Sequence, residues 1–444
     1  MRAATDADFD ASSRYLAVKV EIYFNGISAQ PFTVSKDNFL IDIDWLEESG
    51  AESSNPFGAV SSNELSFRLY NEAGMFSPTN ASGQFYEKIR TGVKVIPYIR
   101  PLYDDEEVEW LKLGEYFVTG WEAAITGTYA DVTANDAWHQ IFSSPAPNYP
   151  VQRNVAFNTA LTDIYEAMGF TVIVNPAISD ILMYSFIEDT PLNFTQEMLS
   201  GAAAFCTCNK AGQPIIEPFV LDRATRISLT DGDQIKSVAA TQSISKTYDG
   251  VELTYAIPQG LDQEKLVDLQ GITATPGAFS VQNVALNNGP LWQITSVSII
   301  GLGNVKLLDY TATPWLASFL FTNLGSHTVF NLLVYGHVVG FTNIVLTDSA
   351  NKLLKITSRY IQKEEYAQHY KSVLTSFVTN SIATLTVSIR GNPLLNVGDK
   401  VVLQSTKYKL DFTGVVQRLS YRYSGSLSCE MSLINNDILQ EVQP

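Results

Sequence analysis

The residues from 63 to 100 constrain the fold of this chain most strongly. Leu65 and Phe67 alternate with polar residues, which is the period of a strand with one buried face and one solvated face. After a polar break that starts at Asn71, a second alternating segment begins at Val93. The sequence therefore predicts two strands that flank a long, structured excursion.

Further alternating segments surround that stretch. Residues 16–24 and 40–46 each show the strand period, and Asp42 and Asp44 lie on the solvated face of the second segment. Alternate carboxylates could hold a metal ion, but on a solvated strand face they are more often only hydrated. Residues 1–137 are predicted to form one antiparallel β domain, either a barrel or a sandwich.

The next part, residues 138–220, changes to a mixed pattern. Apolar side chains recur at helical spacing over residues 157–168, and a second helix is predicted for residues 193–206, with strands after each helix. Cys206 and Cys208 fall at the predicted end of the second helix. Three cysteines make no disulfide framework, and Cys-x-Cys is too tight for the usual zinc site, so both are interpreted as buried thiols in a small α/β domain.

The remaining chain divides into a split β domain and an insertion. Residues 221–262 and 363–444 contain further strands, and the second segment begins with an amphipathic helix. Residues 263–362 are poor in charge and carry short apolar runs separated by turn signals, which is typical of a β-sandwich. The predicted fold is mainly β with a smaller α/β part (α+β overall), and comprises two antiparallel β domains, one α/β domain and one inserted β-sandwich domain.

Two short motifs stand out within this pattern. One lies in the excursion, at residues 71–78, and the other follows a helix and a strand near the C-terminus, at residues 391–401. Their turn residues are Gly74, Ser77, Pro78, Gly391, Asn392, Pro393, Gly398 and Asp399. In both segments the chain resembles the tail hub or baseplate hub proteins of tailed bacteriophages. We expect the glycines and Asn392 to act through backbone geometry rather than through ligand contact.

The resemblance implies an architecture and an assembly. In that family two related β domains, each like a tail tube protein, stand side by side, so that a homotrimer forms a ring of pseudo-sixfold symmetry that continues the sixfold tail tube. It implies barrels for both β domains. It also implies contacts with a tail tube or distal tail protein, with a tail spike, tip or fibre protein, and with the tape measure protein. DNA would pass through the ring without sequence recognition.

The charge of the chain bears on that passage. A net charge of −17 argues against a protein that grips nucleic acid, because binding a phosphate backbone requires clustered Lys and Arg. No apolar run reaches the roughly 18 residues of a membrane-spanning helix, and the N-terminus has neither a basic nor a hydrophobic signal region. These features predict a chain made in the cytoplasm, and the resemblance to tail hub proteins implies that it is made in a host cell and built into a virion.

Catalytic motifs are missing from the sequence. The four histidines fall in three different predicted domains, and there is no nucleophile elbow, phosphate-binding loop or dinucleotide fingerprint. We therefore predict no catalytic, cofactor-binding or metal-binding residue, although carboxylate pairs leave a glycan hydrolase open. A carbohydrate-binding receptor adhesin is a further alternative that rests on the insertion alone, although its tryptophans Trp292 and Trp315 are interpreted as core residues.

Overall fold

The structure is a computed structural model in which strands predominate. It describes residues 2–10, 14–26, 29–50, 58, 60–104, 106–124, 126–147, 149–179, 181–187, 190–218, 223–231, 235–240, 248–301, 304–379 and 384–435. Within these ranges no helix is long and apolar enough to cross a membrane. The mainly β, α+β fold class predicted from the sequence is confirmed.

The first β region is a curved antiparallel sheet preceded by a short helix. Its elements are α1 Asp6–Asp10, β1 Tyr15–Ile22, β2 Phe32–Ser35, β3 Leu40–Glu48, β4 Glu64–Tyr70, β5 Lys94–Leu102, β6 Leu111–Lys112, β7 Tyr116–Ala123 and β8 Tyr129–Asn135. The strands neighbour each other in the order β3-β4-β8-β7-β5-β1-β2, and β6 pairs with β5. Leu65 and Phe67 are buried in one core with the apolar faces of the other strands, as their alternation predicts.

The α/β region follows directly. Its elements are α2 Ala137–Phe142, β9 Gln152–Ala156, α3 Phe157–Ala167, β10 Ile173–Val174, β11 Ile181–Ser185, α4 Pro191–Gly201, β12 Ala204–Cys208 and β13 Pro214–Pro218. The placement of Cys206 and Cys208 at a helix end was wrong, because both lie on the buried strand β12. The helix ends earlier because Ala203 has a positive φ of 47°, and the following residues pair with β13 instead.

The second β region is split in sequence. Its elements are β14 Thr225–Thr230, β15 Ile235–Ala240, α5 Glu364–Thr379, β23 Thr384–Ile389, β24 Lys400–Ser405, β25 Leu410–Tyr423 and β26 Leu427–Asn435. The order β15-β23-β26-β25 is antiparallel, and β24 lies between β25 and β14. The pairing of β14 with β24 is parallel, and this is an exception to the antiparallel pairing that the sequence predicted for this domain.

The two β regions are joined into one 14-stranded sheet, which we call the shared sheet. Strand β25 of the second region pairs antiparallel with β3 of the first, from Arg418 opposite Glu48 to Tyr423 opposite Ile43. At this junction the Trp45 ring stacks on the Tyr421 ring, with centroids 4.6 Å apart. The apolar residues of both regions consequently form one continuous core.

The insertion region is a β-sandwich. Its strands are β16 Gly250–Ala274, β17 Gly277–Ala285, β18 Leu291–Gly301, β19 Val305–Ala312, β20 Leu316–Asn323, β21 Thr328–Thr347 and β22 Leu353–Ser358. One sheet has the order β18-β21-β16-β22 and the other the order β17-β20-β19. Aliphatic and aromatic side chains from both sheets fill the space between them.

Strand β16 connects the insertion region to the rest of the molecule. It begins at Gly250 and continues for 25 residues. A Cβ at Gly250 would lie 2.8 Å from the Asp348 side chain, so the glycine permits a close approach at the start of the strand. The strand passes residue 262, where the sequence places a domain limit, and the domain limits therefore remain predictions.

Candidate assembly surface

The open face is the side of the shared sheet that points away from the core across β26, β25, β3, β4 and β8. Alternate residues of these strands are buried, and the intervening ones project to the other side. The open face comprises Asp42, Asp44, Leu46, Glu48, Glu64, Ser66, Arg68, Tyr70, Tyr129, Asp131, Thr133, Arg418, Ser420, Arg422, Ser428, Glu430 and Ser432, of which Glu48 is buried. Carboxylates outnumber arginines on it, and most other side chains are small and polar. The sequence placed Asp42 and Asp44 on a solvated strand face, where the structure also has them.

Each arginine of the open face lies opposite a carboxylate on a neighbouring strand. The three pairs, which are also the register partners of the sheet, are Arg68–Asp131, Arg418–Glu48 and Arg422–Asp44, with nitrogen-to-oxygen distances of 2.7, 3.6 and 3.8 Å. Directly opposed unlike charges stabilise an antiparallel sheet by about 0.2–1 kcal/mol per pair. The cations of this face are thus all placed beside anions.

A buried ion pair joins β3 to the α/β region beside the shared sheet. The Glu47 side chain is 4% exposed and that of Lys210 is 19% exposed. The Lys210 ammonium donates a hydrogen bond to Glu47 Oε1 and lies 6.0 Å from the ring centroid of Tyr421 on β25. Burial raises the pKa of Glu47, and the Lys210 charge opposes that rise. The ion pair and its contact with the Tyr421 ring therefore link β3, the α/β region and β25.

Asp136 is a second buried carboxyl at the same boundary. It is 1% exposed, between β8 and α2. One of its oxygens accepts from the Trp138 N–H at 3.0 Å and caps α2, and the other accepts from the Asn63 N–H at 3.0 Å. Burial raises the pKa of Asp136 to about 7, although these hydrogen bonds and one from Cys208 lower it in part.

This pKa makes stability depend on pH. Between the usual value of 3.8 and about 7, the folded protein binds more protons at Asp136 than the unfolded chain does. The stabilisation that Asp136 contributes is fully present below pH 3.8 and is lost as the pH rises towards 7. The free energy of unfolding falls over this range by at most about 1.4 kcal/mol per pH unit. Urea unfolding at pH 4.5, 5.5 and 6.5 should show this slope in the native protein and a weaker one in Asp136→Asn. Equal slopes in the native protein and the variant would contradict a raised pKa at Asp136.

The excursion between β4 and β5 is fixed by the Asn71 side chain. Its Oδ1 accepts from the Phe76 N–H at 2.8 Å, and its Nδ2 donates to Ser77 Oγ at 3.1 Å. Ser77 Oγ in turn donates to the Ala124 carbonyl at 2.8 Å, in the turn between β7 and β8. Asn71 and Ser77 therefore tie the excursion to the edge of the first β region.

The same excursion closes one end of the first core. Gly74 has a φ of +69°, and Pro78 is half-buried after it. The Phe76 ring stacks on Phe85 at 5.5 Å, and Phe85 stacks on Phe24 at 4.3 Å. These rings pack in the core of the first β region, and a structural role for Gly74, Ser77 and Pro78 remains a prediction.

The turn at residues 391–393 contacts two described parts of the N-terminal segment, residues 2–10 and Arg14. Asn392 Nδ2 donates to Asp6 Oδ1 at 2.9 Å, and Arg14 Nη1 donates to the Gly391 carbonyl at 2.9 Å. Gly391 has a φ of +90°, and Pro393 is buried. This turn of the second β region therefore holds a segment that leads into β1 of the first.

The turn at Gly398 and Asp399 contacts the α/β region. Gly398 has a φ of +91°, and a Cβ there would lie 2.6 Å from Arg223 Nη1 and 2.9 Å from Phe205 Cζ. Asp399 Oδ2 accepts from the Asn396 N–H at 2.8 Å, while burial raises the pKa of Asp399. The close approach requires a residue without a side chain at position 398.

The predicted turn residues do not form one site, because those of the first motif lie in the first β region and those of the second lie in the second. Sequence reasoning missed Glu47 and Lys210. Glu47 extends the core face of Ile43 and Trp45, so a charge at a core position of β3 was an available signal. In the described part of the chain, no group of three or more His, Cys, Asp or Glu side chains is arranged to hold a metal ion.

Comparison with known proteins gives matches in structure alone. No protein-family model and no curated protein matches this sequence. The 43 kDa tail protein of prophage MuSo2 from Shewanella oneidensis is 11% identical with a TM-score of 0.53, and the match covers 95% of this chain and 99% of that one. The tail protein from Neisseria meningitidis MC58 is 9% identical with a TM-score of 0.54, covering 97% and 100%.

The chain has the fold of these tail proteins. The match extends along nearly the full length of all three chains, so it includes the β regions, the α/β region and the insertion region together. It confirms the fold that the resemblance to tail hub proteins predicted from two short motifs.

Proposed function

We propose that this protein is the structural tail hub of a bacteriophage-type virion. Three copies would form a ring that joins the sixfold tail tube to a threefold spike or tip and lets DNA pass during ejection. The observation that carries the proposal is the shared sheet, in which two β regions of one chain present a single continuous open face. Three such chains supply six β regions, which is the number that a sixfold tube requires.

The ends of the shared sheet support a closed assembly. The sheet ends at β2 on one side and at β15 on the other, and no described strand pairs with the outer edge of either. Unpaired strand edges expose rows of N–H and C=O groups that invite association, and a closed ring covers them. Copies arranged in a cycle would bring one such end near the other.

The open face is proposed to line the channel. Duplex DNA carries one negative charge per about 1.7 Å of its axis, so a wall rich in unpaired Lys and Arg would retain it. The open face has an excess of carboxylates, which gives a neutral or negative wall. Lysine at Asp42, Glu64 or Glu430 should accordingly slow ejection.

Partners and location follow from this role. The proposed partners are a second and third copy of the chain, a tail tube or distal tail protein, a spike, tip or fibre protein, and the tape measure protein. The protein would reside in the virion, at the baseplate or tail tip. The fold shared with two tail proteins along their whole length supports this placement.

The adhesin alternative receives less support from the insertion region. Trp315 donates its indole N–H to the Ile187 carbonyl at 2.9 Å, and Trp292 packs against Tyr184 at 6.3 Å between ring centroids. Both tryptophans therefore contact the α/β region. An exposed cluster of aromatic rings on one sheet face, as sugar binding requires, is not found among the described residues of the insertion region.

The trimer is the first test of the proposal. Light scattering of the purified chain should give three times the mass of the 444-residue monomer, and electron microscopy should show rings with six similar lobes. A replacement of Ser420 by Trp, at the centre of the open face, should leave the mass unchanged if that face lines the channel. A stable monomer at micromolar concentration, with no ring in the assembled particle, would contradict the proposed role.

A further inference from the structure

The arginines of the open face form a compact patch. Arg418 and Arg422 project from the same side of β25, four residues apart, and Arg68 projects from β4, two strands away. Arg68 is opposite Asp42, two residues beyond the level of Arg422, so with strand spacings of about 4.8 Å and a rise of about 3.3 Å per residue the three arginines lie within roughly 10 by 20 Å. That patch spans several phosphates of one DNA strand, which are about 3.4 Å apart along the helix axis.

Every member of this patch is opposed by a carboxylate. Arg68 has a two-pronged contact with Asp131, with Nε to Oδ1 at 2.7 Å and Nη2 to Oδ2 at 3.3 Å. Asp42, its register partner on the other side, adds a second nearby negative charge. A guanidinium held in this fork has its donors directed at the carboxylate, and a phosphate would have to compete for the same donors.

Looser pairs complete the pattern on β25. The Arg422–Asp44 and Arg418–Glu48 pairs are longer than a hydrogen bond, at 3.8 and 3.6 Å, yet each carboxylate is the direct register partner of its arginine. A patch built only to avoid DNA could have omitted arginine altogether. The open face instead contains three arginines, and each lies beside a carboxylate.

We infer that Asp44, Glu48 and Asp131 mask a latent binding surface for duplex DNA, formed by Arg68, Arg418 and Arg422. The biological role of the mask, release of DNA without retention, rests on the proposed function. The physical claim about DNA affinity does not require a ring. The carboxylates, rather than the absence of cations, keep the open face from binding phosphate groups.

Three variants test this inference by DNA binding. The unmasked variant carries Asp44→Asn, Glu48→Gln and Asp131→Asn. The off-face control carries Asp163→Asn, Glu252→Gln and Asp268→Asn. It changes the net charge equally, at one position of α3 and two positions of β16, and also removes the partners of Lys355 and Lys265. The restored variant adds Arg68→Gln, Arg418→Gln and Arg422→Gln to the unmasked one.

Fluorescence anisotropy with a 20-base-pair duplex, at several salt concentrations, measures the effect. The unmasked variant should bind about tenfold or more tightly at low salt than the off-face control, and its log-log salt dependence should steepen by about 0.9 per phosphate contacted. The restored variant should return to the native affinity. An unmasked variant that binds no better than the off-face control would overturn the inference.

Two further measurements separate the alternatives. If the pairs only stabilise the sheet, the unmasked variant will melt at a lower temperature without gaining DNA affinity, and the inference is wrong. Should it fail to fold, Asp44→Asn with Asp131→Asn alone supplies the test, because these two side chains are about half exposed. Light scattering on the same samples tests the two proposals separately. An unmasked variant that is monomeric and gains DNA affinity supports masking by the carboxylates and contradicts the trimeric ring.

Discussion

Replacing Lys210 with Met is expected to lower the free energy of unfolding by about 3–5 kcal/mol at neutral pH, because it leaves the buried Glu47 carboxylate without its partner. Methionine keeps the length of the aliphatic stem, so the change removes mainly the charge and its hydrogen bond. The loss should be smaller at lower pH. Without Lys210 the folded pKa of Glu47 rises further, and the penalty grows as the pH increases through it. Urea unfolding at pH 5 and pH 7.5 checks both statements.

Two controls isolate the buried pair. The double variant Glu47→Gln with Lys210→Met should recover most of the lost stability, because no buried charge remains unpaired. Lys265→Met removes one partner of the exposed pair with Asp268, whose side chains are 50% and 37% exposed, and should cost less than about 1 kcal/mol. Equal losses in Lys265→Met and Lys210→Met would show that burial of Glu47 is not the cause.

Gly398→Val is expected to abolish most of the folded yield. The valine would take a φ of +91°, which costs a β-branched residue of order 1–3 kcal/mol, and its Cβ would lie 2.9 Å from Phe205 Cζ and 2.6 Å from Arg223 Nη1. The ring of Phe205 is buried and has no room to move away. Soluble yield and melting temperature measure the loss.

Gly425→Val provides the matched control. Gly425 has a similar φ of +88°, in the turn between β25 and β26, but nothing lies within 4 Å of a Cβ there. Its variant should show the backbone strain alone and remain folded. If both variants lose stability equally, the contact between the Gly398 turn and the α/β region contributes nothing. If Gly398→Val folds normally and loses only a binding activity, the structural interpretation of this turn is wrong.

Local patterns in the sequence predicted most of the strands, and the reason is physical. Alternation identifies a strand because side chains point to opposite faces of a sheet, and Leu65 and Phe67 are buried as that rule requires. The end of α4 was missed because Ala203 adopts a positive φ that its residue type does not signal. The 25-residue length of β16, which passes the predicted domain limit at residue 262, was missed because its pairing with β21 is a tertiary contact.

The open face was predicted less completely. Asp42 and Asp44 were correctly placed on a solvated face, yet their alternation contains nothing about Arg422 or Arg68, which come from other strands. Register between distant strands is set by the whole fold and not by the local period. The ion pair of Glu47 with Lys210 is also set by the tertiary fold, although a single charged residue at a core position of β3 was a signal in the sequence.

The pairing of β3 with β25 also sets a condition on how the chain is made. The Ser49 N–H donates to the Gln417 carbonyl at the end of this junction, and the two residues are 368 positions apart. At a ribosomal rate of about 5–20 residues per second, roughly 20–70 s pass between their synthesis. Throughout that interval the outer edge of β3, with Trp45, lacks its native neighbour. During this interval β3 is most prone to pair with a strand of another nascent chain on the same message. The risk ends when β25 has been synthesised and pairs with β3.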